Sequence, residues 1–128
     1  MDEKVRATAQ RFAIVNIWRS IGGKIVDTPL ALCDARSISV KDLVVTDLCY
    51  RDRTGEIYLV QESSRHRWSY FSEMDRGEVL VFKQYDSQVS GVARFTLHAA
   101  FRHPGTPVGT PPRESIEART LVFFPPAP

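Results

Sequence analysis

Cysteine is scarce in this 128-residue chain, which holds only Cys33 and Cys49. The two residues do not form a CxxC pair, and both lie in apolar, strand-like surroundings. Disulfide-rich scaffolds and zinc modules need more cysteines at closer spacing, so the sequence supports neither class. We therefore expect two buried thiols that form no disulfide and carry no chemistry.

Long apolar runs are missing as well. No segment approaches the roughly 20 apolar residues that a helix needs to cross a bilayer. The opening MDEKVRATAQ also lacks the apolar centre of a signal peptide. These absences predict a cytoplasmic protein that makes no contact with a membrane.

Neither sign of charge dominates the chain. It has 17 Lys and Arg against 15 Asp and Glu, a net charge of +2, and the two signs alternate in segments such as RDRTGE (51–56). Nucleic-acid binders usually collect basic residues on one face, so we expect no nucleic-acid partner. No GxSxG, Walker or GxGxxG motif is present, and hydrolase and nucleotide-binding functions therefore lack support.

The chain does contain many short segments rich in β-branched and aromatic residues, separated by turn signals. The segments are 11–19, 29–34, 42–50, 56–61, 66–71, 78–86, 93–101 and 115–124. They predict a mainly β fold, an antiparallel barrel or sandwich formed by one domain over residues 1–128, with a short helix at its start. Alternation in EIYLV places Ile57 and Leu59 on one face, which is typical of a half-buried strand.

Three residues near the C-terminus have the chemistry of a binding site. His98 lies in the apolar run RFTLHAAF, and Arg113 and Ser115 follow the Pro/Gly loop HPGTPVGTPP (103–112). Alternation places Arg113 and Ser115 on one face, where a guanidinium and a hydroxyl would bind a carboxylate well. From the residues alone, a packed or solvent-linked histidine and a surface arginine are the favoured interpretation.

Most of the chain resembles a known enzyme family. The segments RFAIVNIWR, PLALCDARS, DLVVTDLCYRDRTGEIYLV, HRWSYFSEM, EVLVFKQYDS, ARFTLHAAF and PPRESIEARTLVF are similar, in that order, to the C-terminal half of the CmcJ/AsaB-type hydroxylase and desaturase family. That family belongs to the Fe(II)/2-oxoglutarate-dependent oxygenases of secondary metabolism. The resemblance covers residues 11–124 and rests on the collinear order of rare words such as LCDAR and PPRESIE.

The resemblance implies a jelly-roll fold of the double-stranded β-helix type, Fe(II) and 2-oxoglutarate as cofactors, and a small-molecule metabolite as substrate. It implies that His98 is a non-haem iron ligand, that Arg113 binds the 2-oxoglutarate carboxylate, and that Ser115 is a second partner of that carboxylate. One local departure is Leu97, where the family usually has proline.

The iron site implied by the resemblance is incomplete in this sequence. Such a site needs two histidines and a carboxylate, and the family carries the first histidine and the carboxylate as HxD or HxE upstream of the RFAIVNIWR-like segment. No such motif is present, and only residues 1–10 precede that segment. Replacement ligands would require a re-invented site, and we expect none of the candidates to serve. They are Asp34, Asp47, His66, Asp86 and His103.

Three functions therefore remain open. The chain is a truncated product or one part of a two-part hydroxylase or desaturase-like dioxygenase. Alternatively, it is a cofactor-free small-barrel enzyme, a cyclase, isomerase or dehydratase, in which His98 is the general acid or base and Arg113 holds the substrate. A third interpretation is a non-catalytic binding or assembly subunit, a homodimer or a partner of a chain that supplies the missing strands.

Overall fold

The computed structural model describes residues 9–89 and 93–125. Eight strands and two 3-10 turns form the regular structure of these residues. The strands are β1 (Arg11–Ser20), β2 (Leu30–Cys33), β3 (Leu43–Cys49), β4 (Thr54–Val60), β5 (Trp68–Tyr70), β6 (Leu80–Asp86), β7 (His98–Ala100) and β8 (Ser115–Phe124). The turns span Ala35–Ser37 and Val40–Asp42.

The first sheet has the order β6-β1-β8, and both pairings are antiparallel. β1 pairs with β8 over its whole length, from Arg11 opposite Phe124 to Ser20 opposite Ser115. Its pairing with β6 shifts register between Ile14 and Val15, as at a β-bulge. β1 is therefore the central strand that positions its two neighbours.

The second sheet has the order β5-β2-β7, again antiparallel. Within it, Leu32 of β2 lies opposite His98 of β7. β3 and β4 form a separate two-stranded hairpin, in which Leu43 pairs with Val60 and Cys49 with Thr54. These sheets are small and do not close into a barrel.

The hydrophobic core lies between the first two sheets. Its buried members are Trp18, Ile25, Leu30, Met74, Leu80 and Phe82, and Leu32 packs against them. Each large apolar side chain buried here contributes roughly 1.5–3 kcal/mol relative to an exposed position. The core therefore joins the inner faces of the two sheets and fixes which strand residues point toward each other.

The predicted antiparallel β fold is confirmed, and all eight predicted segments contain a strand. Segment 93–101 is strand only over His98–Ala100, so its first half was predicted wrongly. Residues 103–112 form the expected surface loop between β7 and β8, with turns closed by Thr106 and Thr110. The predicted N-terminal helix falls on residues 1–8, which lie outside the described residues.

The burial predicted for two segments is wrong. Ile57 and Leu59 are 37% and 52% exposed, because in the described part of the chain the hairpin pairs only with itself and no sheet covers this face. Cys33 is buried as expected, whereas Cys49 at the end of β3 is exposed. Both are free thiols, as predicted. In the ranges 9–89 and 93–125, no helix is long and apolar enough to span a membrane.

Candidate functional site

His98 is the first residue of β7 and lies on the core side of its sheet. Its ring is 4.7 Å from the ring of Phe82, a buried residue of β6 in the opposite sheet. The side chain is half-buried. The sequence thus places one imidazole between the two sheets, against an aromatic wall.

The Nδ1 atom of His98 is 3.0 Å from the carbonyl oxygen of Thr96. A carbonyl oxygen only accepts hydrogen bonds, so Nδ1 is the donor and carries the proton. In the neutral ring, Nε2 then holds the lone pair. A second hydrogen bond of this kind is the usual way in which proteins fix the tautomer of a metal-binding histidine.

The other two histidines show the opposite arrangement. His66 is 3% exposed, and its Nε2 is 3.0 Å from Oδ2 of Asp42, which as a carboxylate accepts the proton. His103 accepts from the amide of Gly105 at Nδ1, so its Nε2 donates to the hydroxyl of Tyr70 at 2.9 Å. Of the three histidines in the chain, His98 is therefore the one that presents an unprotonated Nε2.

Arg113 precedes β8 and is held in two ways. Its Nη1 donates to the carbonyl oxygen of Thr28, and its guanidinium lies 5.4 Å from the centre of the Trp18 ring. Such a cation–π contact contributes roughly 0.5–2 kcal/mol. Trp18 belongs to the same core cluster as Phe82, so Arg113 and His98 each contact a member of one buried group.

Ser115 is the first residue of β8, opposite Ser20 of β1. Arg113 lines a cavity of about 340 Å³ between the segments 22–27 and 110–114, and His98 does not line this cavity. The structure therefore places Arg113 and Ser115 at one end of the first sheet and His98 in the second sheet, and Ser115, like His98, does not line the cavity beside Arg113.

The replacement ligands considered above are engaged elsewhere. Asp34 is bound by two arginines, and Asp86 is fully buried and bound by Arg11 and Lys83. These hydrogen bonds, that from Arg11 foremost, hold the pKa of Asp86 well below its usual range. Asp47 is exposed on the hairpin. No group of three His, Cys, Asp or Glu residues that could hold a metal occurs in the described part of the chain.

A polar cluster at the centre of the first sheet was missed by the sequence analysis. Asn16 of β1 is fully buried, and its amide nitrogen donates to Gln84 at 2.9 Å and to Glu117 at 2.7 Å. It lies opposite Phe82, on the central strand. The signal was present in the sequence, because one asparagine interrupts an otherwise apolar strand.

Comparisons with known proteins agree with this architecture. A family model described as an Oxidoreductase/YMDC permease-like domain matches residues 1–123. "Aspirochlorine biosynthesis protein N" of Aspergillus oryzae is 36% identical over 126 residues, which are 96% of this chain and 52% of that protein. The "Fe(II)/2-oxoglutarate-dependent dioxygenase nvfI" of Aspergillus novofumigatus is 38% identical over 95% of this chain and 44% of its own length.

Two further similarities are informative. The "Hydroxylase/desaturase asaB" of Aspergillus flavus is 38% identical over 89% of this chain and 56% of its own length. A solved structure of the iron and alpha-ketoglutarate-dependent endoperoxidase NvfI superposes with a TM-score of 0.82 and 33% identity, over 96% of this chain and 45% of that one. The chain thus spans about half the length of the curated relatives it matches.

The structural similarity also identifies the two facing sheets as a jelly-roll type of fold, as the resemblance predicted. The chain belongs to the CmcJ/AsaB-type hydroxylase/desaturase family, among the Fe(II)/2-oxoglutarate-dependent oxygenases of fungal secondary metabolism.

Proposed function

We propose that residues 1–128 form the part of an Fe(II)/2-oxoglutarate-dependent oxygenase that supplies one iron ligand and the binding site for the 2-oxoglutarate carboxylate. The observation that carries the proposal is the tautomer of His98. Its Nδ1 donates to the carbonyl of Thr96, and Nε2 is left with a lone pair on the core side of the sheet.

His98 fits one coordination position of iron. Thr96 orients the ring, and Phe82 packs against it, so the imidazole would be positioned before metal arrives. In the ranges 9–89 and 93–125, no second histidine or carboxylate joins His98 in a metal-binding group. These residues alone therefore do not fit an iron site.

Arg113 and Ser115 fit a carboxylate better. Thr28 and Trp18 hold the guanidinium, and its remaining nitrogen donors form a planar fork that matches a carboxylate. Ser115 adds a hydroxyl at the start of β8. With iron in place, the site would support oxidation of an aliphatic carbon of a metabolite by dioxygen, and 2-oxoglutarate would be the co-substrate that donates electrons and is decarboxylated.

The missing histidine and carboxylate would come from polypeptide outside residues 1–128. The relatives have room for such a segment, since the matched region is only 44% to 56% of their length. That polypeptide would be the remainder of a longer chain or a partner chain of different sequence, because a second copy of this chain would lack the HxD motif as well. The same proposal includes three further points. The chain is a single domain, its substrate is a small molecule, and it lies in the cytoplasm.

The test is an anaerobic titration with Fe(II) and 2-oxoglutarate, in which the visible charge-transfer band of the chelate is recorded. The chain alone should give no band. The chain mixed with the remainder of the Aspergillus flavus relative should give one, and both His98→Ala and Arg113→Ala should abolish it. His103→Ala is the matched control and should leave the band intact, because Nε2 of His103 is engaged by Tyr70.

Two outcomes would count against the proposal. A band from the chain alone would mean that other residues complete the metal site. If the chain and the remainder of the relative form a tight complex and the charge-transfer band is still absent, His98 is excluded as an iron ligand. Turnover of a metabolite that survives a strong chelator would then favour the metal-independent enzyme, in which the same Nε2 lone pair is the general base.

A further inference from the structure

Three arginines surround a surface cavity at the end of β2 that lies away from Arg113. The cavity has a volume of about 360 Å³ and is lined by Arg36, Ser37, Ile38, Arg65 and Arg67. We call these residues the arginine pocket. All of its charged lining residues are arginines.

Two carboxylates form ion pairs with the three arginines. Asp34 accepts from Nε and Nη2 of Arg36 at 3.0 and 2.8 Å, and from Nη2 of Arg67 at 3.0 Å. Asp42 accepts from Nη2 of Arg65 at 3.0 Å. Each guanidinium is therefore fixed on one side by a carboxylate.

The positive groups are much more exposed to solvent than the negative groups. The side chains of Arg36, Arg65 and Arg67 are 84%, 63% and 64% exposed, whereas those of Asp34 and Asp42 are 26% and 11% exposed. Three arginines against two carboxylates leave an excess of one positive charge among these five side chains. An anion in the cavity would meet the guanidinium groups first.

The arrangement persists over a wide pH range. The hydrogen bonds from Arg36 lower the pKa of Asp34 to about 2, and the amide of Ser39 together with His66 lowers the pKa of Asp42. Both carboxylates thus stay ionised at neutral pH. Because they hold the arginines in place, a ligand would lose less side-chain entropy on binding than at free surface arginines.

The arginine pocket is distinct from the proposed 2-oxoglutarate site. Arg113 contacts Thr28, which precedes β2, whereas Asp34 follows β2. Six residues of near-extended chain separate these positions by roughly 15–20 Å. An anion bound here would not compete with 2-oxoglutarate.

We propose that the arginine pocket binds a phosphate group, either free or at the end of a larger molecule. A phosphate offers three oxygens and close to two negative charges, which match several guanidinium donors around one cavity. The second nitrogen, Nη1, of Arg36, Arg65 and Arg67 has no hydrogen-bond partner among the described residues and is available for these oxygens. A carboxylate carries one charge and would bind less tightly.

The test is a calorimetric titration of the whole chain at constant ionic strength with inorganic phosphate, adenosine monophosphate and acetate. Phosphate should bind, and acetate should bind roughly tenfold more weakly. Arg36→Gln and Arg67→Gln should each weaken phosphate binding by roughly tenfold. Arg53→Gln is the matched control, since Arg53 stacks on Tyr50 at the hairpin turn, and it should leave binding unchanged.

Adenosine monophosphate distinguishes the two sources of the phosphate. If adenosine monophosphate binds more tightly than inorganic phosphate, the site recognises a phosphate on a larger molecule. If the two bind equally tightly, the site recognises free phosphate. No binding of either, or equal affinity in the wild type, Arg36→Gln and Arg67→Gln, would overturn the proposal. Arg67→Lys guards against misfolding, because it keeps the charge and should lose only part of the affinity. None of these outcomes depends on the iron site.

Discussion

The regions around His98 and His66 use the same side chain in opposite ways. The side chain of His66 is buried, and its Nε2 donates a hydrogen bond to Asp42. This nitrogen therefore has no lone pair for a ligand. His98 donates through Nδ1 to a backbone carbonyl and leaves Nε2 open beside Phe82. The first arrangement stabilises the fold, and the second costs the fold little and leaves a ligand available. The placement of one proton distinguishes the histidine that stabilises the fold from the one that we propose as an iron ligand.

The largest expected effect is a loss of stability when a large side chain of the core between the two sheets is truncated. Trp18→Ala should lower the free energy of unfolding by about 3–5 kcal/mol, because Trp18 is 3% exposed and joins the two sheets. Trp68→Ala is the matched control, since Trp68 is 40% exposed, and it should cost much less. Urea unfolding measures both. Equal losses would mean that the core lies elsewhere.

The next effect separates the two histidines directly. His66→Ala should lower the free energy of unfolding by about 1–3 kcal/mol, because it removes one hydrogen bond from a poorly exposed carboxylate that then keeps only Arg65 and the Ser39 amide. His98→Ala removes a hydrogen bond to a backbone carbonyl and the ring contact with Phe82, but it takes no partner from an ionised group and should cost less. The same urea series measures both variants. A larger loss for His98→Ala would contradict its assignment as the open residue.

A smaller effect on the free energy of unfolding is expected when the pH is lowered. The pKa values of Asp34, Asp42 and Asp86 are lower in the folded chain than in the unfolded chain, so their ionisation favours folding above the unfolded pKa near 4. That contribution should be constant above about pH 5 and should be lost as the pH falls from 4 toward 2. Urea unfolding at pH 7, 5 and 3 checks the trend. Asp34→Asn should reduce the slope, and an unchanged slope would exclude Asp34 as a contributor.

The smallest effect is expected in the hairpin. Leu59→Ser should change the free energy of unfolding by less than about 0.5 kcal/mol, because Leu59 is 52% exposed and its strand pairs only with β3 in the described part of the chain. Leu30→Ser, at a buried core position, is the comparison. A loss at Leu59 as large as that at Leu30 would mean that the hairpin face is covered.

The strands were predictable because alternation and turn signals are local. β1 and β8 were assigned correctly from their β-branched and aromatic residues. The burial of β4 was not predictable, because alternation shows which residues share a face and not whether anything packs against it. Segment 93–97 reads as strand from its residues, yet strand pairing begins only at His98.

The site was predictable only in part. The family resemblance pointed to His98, Arg113 and Ser115, and these assignments stay predictions. The contacts that orient them depend on long-range packing, such as Trp18 beside Arg113, which no local pattern encodes. The arginine pocket could not be predicted from the sequence either, because Arg36 and Arg65 come together only when β2 and β5 pair.

The most direct test of the account is the protonation state of the three histidine rings, measured at neutral pH by nitrogen-15 NMR of the imidazole groups. The account predicts that His98 carries its proton on Nδ1, while His66 and His103 carry theirs on Nε2. A proton on Nε2 and none on Nδ1 of His98 would contradict the account, because the hydrogen bond to Thr96 that fixes the ring would then be absent.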